Sequence, residues 1–188
     1  MAGEKQAIRG NENVQQTGNN NFNNSSITFD MSQDRLTPSD ATKLLKLTQK
    51  LEKGSLHYSK ALPADFQDKL DFNKVIRYKS IYMGATNSEQ MNIIEESVQD
   101  MVDSQPLIMR LAKLFADVLL IKDGKIVPGN GDSQLKIVEQ KLNDSILNDS
   151  EFWKLGISIE VVDQFVIGLV SYGILICKIL LNPNEVGD

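Results

Sequence analysis

The most apolar window of the chain is Phe165 to Cys177, FVIGLVSYGILIC, which carries no charge between Asp163 and Lys178. A membrane span needs about 20 apolar residues, and the window falls short of that even with Ile179 to Leu181 added beyond the lysine. It reads instead as a buried core helix, and the rest of the chain must supply what buries it. Ser158 is suited to cap that helix, which is predicted from Ile159 to Leu181 with a stop at Asn182-Pro183. Apolar residues cover most of its circumference, while Gly168, Ser171 and Gly173 let another helix come close. Either it is the central helix of a bundle or part of its face is buried by another chain.

The covering elements are legible as further helices. Thr37-Pro38-Ser39-Asp40 is a helix start, with Thr37 as N-cap and Pro38 at the first helical position. The helix is predicted from Pro38 to Lys53, with Ala41, Leu44, Leu45, Thr48 and Leu51 on one face and Gly54 as its stop. Pro63 opens a short helix through Phe72 with Phe66, Leu70 and Phe72 facing inward, and another is predicted from Lys74 to Met83. Thr86 and Glu89 fit a capping box ahead of Met91, Ile94, Val98 and Met101. Pro106 to Ile121 follows, apolar over more than half its circumference and so expected near the centre of the bundle. Asp123-Gly124 suits a small hairpin turn. Asp132 or Ser133 is expected to cap a helix carrying Leu135, Val138 and Leu142, and Trp153, the only tryptophan, to anchor the last helix.

The first thirty residues differ in kind. Read in steps of eight, Gly10 recurs as Gly18, Asn11 as Asn19, Asn13 as Asn21, and apolar Val14 as apolar Phe22. Gly and Asn tolerate the positive φ of tight turns, and one apolar residue per rung gives each turn something to bury. Two rungs cannot bury a face alone, so an ordered repeat is expected to stack on copies of itself, with Ile27, Phe29 and Met31 alternating in a short closing strand. Composition supports a disordered polar leader in the monomer, and the two readings are compatible. The chain therefore divides into an assembly segment, 1–31, a helical bundle, 37–182, and a tail, 183–188: a mainly α protein preceded by a short Gly/Asn-rich β-forming repeat.

Charge and composition narrow the function. A formal net charge of −5 with no long block of Lys or Arg argues against direct nucleic-acid binding and against an anionic-lipid footprint. One cysteine, Cys177, cannot staple a fold and is expected as buried packing in a reducing compartment. The opening MAGEKQAIRG lacks the apolar core of a signal peptide, so a cytoplasmic location is expected. There is no HExxH, CxxC or GxSxG pattern, and His57 has no second histidine to work with. Glu95 with Glu96, and Asp65 with Asp68, read as solvated helix faces among lysines. Glu139-Gln140-Lys141 matches a nuclease-type triplet but falls on a predicted helix where a nuclease core needs a strand. Neither a cofactor, a metal nor a catalytic residue is expected.

Two stretches carry a resemblance. KLDFNKV, Lys69 to Val75, and VVDQFVIGLVSYGILICKILLNP, Val161 to Pro183, are similar to the C-terminal domains of effector proteins in bacterial ABC three-component conflict systems. The matching positions are Lys69, Leu70, Phe72 and Asn73, then Asp163, Cys177, Lys178, Ile179 and Leu180. The Gly/Asn leader resembles the short repeats that precede such domains, and the amyloid-like motifs of immune signalling. What the resemblance implies is a role in antiviral or plasmid defence, beside an ABC-type ATPase and a small middle component. Together with the repeat and the missing catalytic motifs, the expectation is a non-catalytic scaffold that homo-oligomerises through the repeat and closing strand, at Gly10, Asn11, Asn13, Val14, Gly18, Asn19, Asn21, Phe22, Ile27 and Phe29. Its bundle would dock a separate effector, or an ABC-type ATPase and a small middle component, with Lys69, Phe72, Asn73, Asp163, Cys177 and Lys178 as a partner-binding or core motif. Family members usually join this domain to an effector enzyme, and a stand-alone version is expected here, with effector activity in a separate polypeptide or acquired through assembly. The alternative reading is a small membrane-perturbing effector acting through the apolar C-terminal helix.

Overall fold

A computed structural model describes residues 35–49 and 62–185. The repeat, His57, Leu51 and Gly54 lie outside the described residues, and so do the ten positions expected to make the oligomer. What is described is mainly helical: seven helices and one two-stranded hairpin.

The N-terminal helix α1, Pro38–Thr48, starts as its sequence requires. Thr37 is extended, its hydroxyl accepts from the Asp40 amide, and Ala41, Leu44, Leu45 and Thr48 are buried. It ends at Thr48, short of the expected Lys53. Next come α2, Phe66–Phe72, and α3, Lys79–Ala85. Asp65, rather than Pro63, caps α2 by accepting from the Gln67 amide. Residues 74 to 78 are not helical, contrary to the expected start at Lys74. The amides of Ile76, Arg77 and Tyr78, at 3.1, 3.0 and 3.1 Å, all donate to the carboxylate of Asp132, which holds this turn out of a helix.

The fourth helix, α4, Glu89–Gln99, is capped by Ser88, whose hydroxyl accepts from Met91. Thr86 does not serve the expected capping box. It terminates α3, and its hydroxyl donates to the Met83 carbonyl. In α5, Gln105–Ala116, Leu107, Leu111, Leu114 and Phe115 are buried. This helix is shorter and less central than its sequence predicts. Leu120 and Ile121 leave it to form β1, Leu120–Lys122, which pairs antiparallel with β2, Lys125–Val127. The turn explains the early end: Asp123 and Gly124 both have positive φ, 53° and 73°, the primed geometry that closes a two-residue hairpin.

Helix α6, Gly131–Leu147, is capped by Asn130 and not by the expected Asp132 or Ser133. A single 3-10 turn, Phe152–Lys154, leads into α7, Ile159–Leu175, capped by Ser158. The buried anchor of that turn is Phe152; Trp153, expected in this role, is 67% exposed. Its ring stands edge-on to Phe152 at 5.1 Å, and its indole N–H donates to the Leu147 carbonyl.

The central helix is α7, which packs against each of the other six. Val161, Val162, Phe165, Val166, Leu169, Val170 and Ile174 are buried on it in one continuous core. Burial of this kind stabilises by about 25 cal/mol per Å² of apolar surface removed from water, which is why an all-round apolar helix belongs in the middle. Among the described residues no helix is long and apolar enough to cross a membrane.

Candidate functional site

The two stretches behind the resemblance meet in space. Helix α7 ends six residues earlier than its apolar run suggests, because Cys177 adopts a left-handed conformation at φ 57°. The Cys177 amide donates to Ile174 O at 3.2 Å and the Lys178 amide to Gly173 O at 2.8 Å. This is the Schellman arrangement, which glycine usually fills. Gly173 is needed one turn earlier for another reason: a Cβ there would lie 2.7 Å from Cδ1 of the buried Ile179. The chain then doubles back through Ile179 and Leu180, both buried, with Leu180 also left-handed at φ 65°.

Lys69 lies across this helix end. Its Nζ, on a side chain that is almost wholly buried, donates to Ile174 O at 2.8 Å and to Leu175 O at 3.0 Å. A buried ammonium is costly unless compensated, and here it faces the two terminal carbonyls of Ile174 and Leu175 and the negative end of the α7 dipole. One turn on, Asn73 is fully buried. Its Nδ2 donates to Leu181 O at 2.8 Å while its Oδ1 accepts from the Leu181 amide at 2.9 Å, a two-point grip on the backbone. Asn73 Nδ2 also bonds Lys69 O at 2.8 Å, which fixes the amide's orientation.

Further bonds extend the clasp. Asn182, buried as well, donates to Leu62 O at 3.0 Å and accepts from the Ala64 amide at 3.2 Å. On the other side, the Asn73 carbonyl accepts from the Gly131 amide at 2.8 Å. A Cβ at residue 131 would come within 2.5 Å of that carbonyl oxygen, so the start of α6 must be glycine. Next to it, burial pushes the Asp132 carboxyl up, but the three amide bonds and the Arg77 charge outweigh this and hold it below the ordinary carboxylate range.

The remaining motif residues are placed differently. Phe72 is half-buried and stands outside the main core, although its pattern predicts an inward ring. Asp163 is exposed and accepts from Asn143 Nδ2 at 3.2 Å. Cys177, expected as buried packing, is partly exposed because its role is played by the backbone. The structure thus brings Lys69, Asn73, Cys177 and Lys178 together, and leaves Phe72 and Asp163 apart from them.

Sequence reasoning missed a further polar contact, the buried Tyr82 donating its hydroxyl to the half-buried Glu139 carboxylate between α3 and α6. Burial raises Glu139, and the nearby Asp163 charge adds to it against the opposing hydrogen bond from Tyr82. Tyr82 is raised by its own burial first and then by the Glu139 charge. This places Glu139 of the nuclease-like triplet in a structural bond, while Lys141 pairs with Asp117 at 2.9 Å. No set of three metal-ligating His, Cys, Asp or Glu side chains gathers among the described residues.

Two surface features stand apart from the clasp. One is a groove of about 280 Å³ between α3, α4 and α7, lined by Ile81, Gly84, Gln90, Ile167 and Gly168. The other is the hairpin, where Leu120, Ile121 and Ile126 are 48%, 66% and 47% exposed. Compared with models of known families, with curated proteins and with solved structures, the chain finds no match.

Proposed function

We propose that this protein is a non-catalytic scaffold of a bacterial antiviral defence system, self-associating through its Gly/Asn repeat and docking a partner effector or ATPase through its helical domain. The observation that carries the reading is the clasp. Lys69 and Asn73, the buried polar residues the resemblance singles out, are engaged by main-chain groups of Ile174, Leu175 and Leu181. With Lys69 and Asn73 engaged in closing the bundle, contact with a partner falls to the domain's surface, which is how an interaction module acts. The membrane-perturbing alternative would require α7, which packs against every other helix, to leave the core.

The test is the solution mass of the full chain beside a version lacking residues 1–30, by light scattering after size exclusion. A defined oligomer that becomes a smaller folded species on truncation supports the reading. Equal monomeric masses would remove the repeat from assembly and with it half of the proposal.

A further inference from the structure

The hairpin is the least self-sufficient part of the bundle. Leu120 pairs with Val127, Ile121 with Ile126 and Lys122 with Lys125. Across a two-residue turn Lys122 and Lys125 form the hydrogen-bonded pair, so Ile121 and Ile126 form the non-bonded pair and aim their N–H and C=O groups outward, away from each other's strand. The sheet has two strands and no third among the described residues. Such a ribbon is marginal in water unless a further strand or a helix covers it, and here three of its four aliphatic side chains are substantially exposed.

The charges say what kind of strand fits. Lys122 and Lys125 sit directly opposite each other, an arrangement that costs stability, and neither has a carboxylate in ion-pair reach among the described residues. Edge-to-edge pairing of two such hairpins would bring four lysines together, which disfavours a second copy of the same ribbon. A strand that alternates apolar and acidic residues meets all three demands: it pairs with an open edge, covers the isoleucines and neutralises the lysines. We infer that the β1–β2 hairpin is a docking edge for an extended, acidic segment of a partner protein, recognised by strand addition. The inference deepens the proposed scaffold role and rests on it, since it names where the bundle meets its partner.

The probe is a fluorescent peptide of alternating valine and glutamate, titrated into the full-length protein by anisotropy, with amide NMR shifts recorded in parallel. Saturable binding is expected, with the largest shifts at residues 120–127. It should weaken at least tenfold for Lys122→Glu with Lys125→Glu. A second variant, Ile126→Pro, keeps the charges but removes the outward N–H of that edge, a substitution edge strands accept. It is expected to weaken binding as well. A valine–lysine peptide should not bind. The inference is overturned by no saturable binding, by binding indifferent to these variants, or by shifts confined to other surfaces. It is equally overturned if the charge reversal abolishes binding to phosphatidylserine vesicles while the peptide does not bind, or if it lowers the solution mass, which would make the hairpin a self-association surface. An intact oligomer that ignores the peptide would remove the docking edge and leave the assembly reading standing.

Discussion

The clasp and the hairpin lie at opposite limits of how a small bundle uses its chain. In the clasp, residues more than a hundred positions apart are joined by polar bonds from buried side chains: Lys69 to Ile174 and Leu175, Asn73 to Leu181, Asn182 to Leu62. In the hairpin every strand pairing lies within eight residues, and three of the four aliphatic side chains are exposed. Buried polar groups are costly when unpaired, so a site that satisfies all of them fixes one geometry and leaves little chemistry over. The ribbon fixes little and, among the described residues, leaves an edge without a third strand. Long-range polar bonding is therefore concentrated in the clasp, and the proposed docking edge lies where the pairing is local.

The comparison breaks most readily at Asn73. Asn73→Ala removes both bonds to the Leu181 backbone and the bond to Lys69 O, and leaves the part-buried Leu181 N–H and C=O without these partners. A loss of about 4 kcal/mol in urea unfolding is expected from three lost bonds and a vacated, fully buried side-chain site. A loss below about 1 kcal/mol would mean the returning segment holds without the clasp. Lys69→Met keeps the length of the stem and removes the cation, leaving Leu175 O short of its main donor; about 3 kcal/mol is expected from the unpaired carbonyl and the lost dipole interaction.

Asp132 tests the neighbouring turn by pH. Its folded carboxyl lies below the ordinary range, so its contribution is fully present above the unfolded value of about 4 and is lost as pH falls through the folded value. Asp132→Ala should cost about 1.5 kcal/mol at neutral pH, through the three amides of residues 76–78 left without their acceptor. The gap to the wild type should close on acidification below about pH 4. A gap independent of pH would place the stabilisation in packing. Phe72→Ala, at a half-buried ring, is expected to cost about 1 kcal/mol, well under the 3 kcal/mol or more of a fully buried one.

What the sequence made legible follows the same division. Caps with unambiguous chemistry were read correctly at Thr37 and Ser158, and the central place of α7 follows from its all-round apolar composition. The hairpin turn at Asp123-Gly124 was visible because its residue types demand positive φ. What escaped was non-local. The end of α7 was set too late because the residue that breaks it, Cys177, has no turn propensity; it is held left-handed by backbone bonds on its own side and by Lys69 from the other end of the domain. Asp132 read as a cap because Asp is a good one, but its carboxylate is claimed by three amides more than fifty residues earlier. The Lys69 and Asn73 motif was recognisable as a pattern, whereas its meaning as half of a clasp required the partner segment.

Cys177 offers a gain. An L-residue held left-handed costs about 1 kcal/mol or more relative to glycine, and the Cys177 side chain is partly exposed with little packing to lose. Cys177→Gly is therefore expected to raise stability by about 1 kcal/mol, an increase in the urea midpoint at unchanged slope. A decrease would show that the thiol packs in a way that outweighs the backbone strain.

The smallest effect is expected at the hairpin, and it discriminates most sharply. Ile121→Ser with Ile126→Ser removes the exposed cross-strand pair, worth a few tenths of a kcal/mol, from a ribbon whose pairings are local. Global unfolding should shift by under about 0.5 kcal/mol, while amide exchange across residues 120–127 should accelerate as the ribbon opens independently of the core. A global loss above 1.5 kcal/mol would mean that the bundle leans on these isoleucines. They would then be part of the core's own cover and could not be reserved for a partner. A small global loss with fast local exchange would instead define an element that folds beside the bundle without supporting it, the condition under which an added strand contributes its ordering energy to binding.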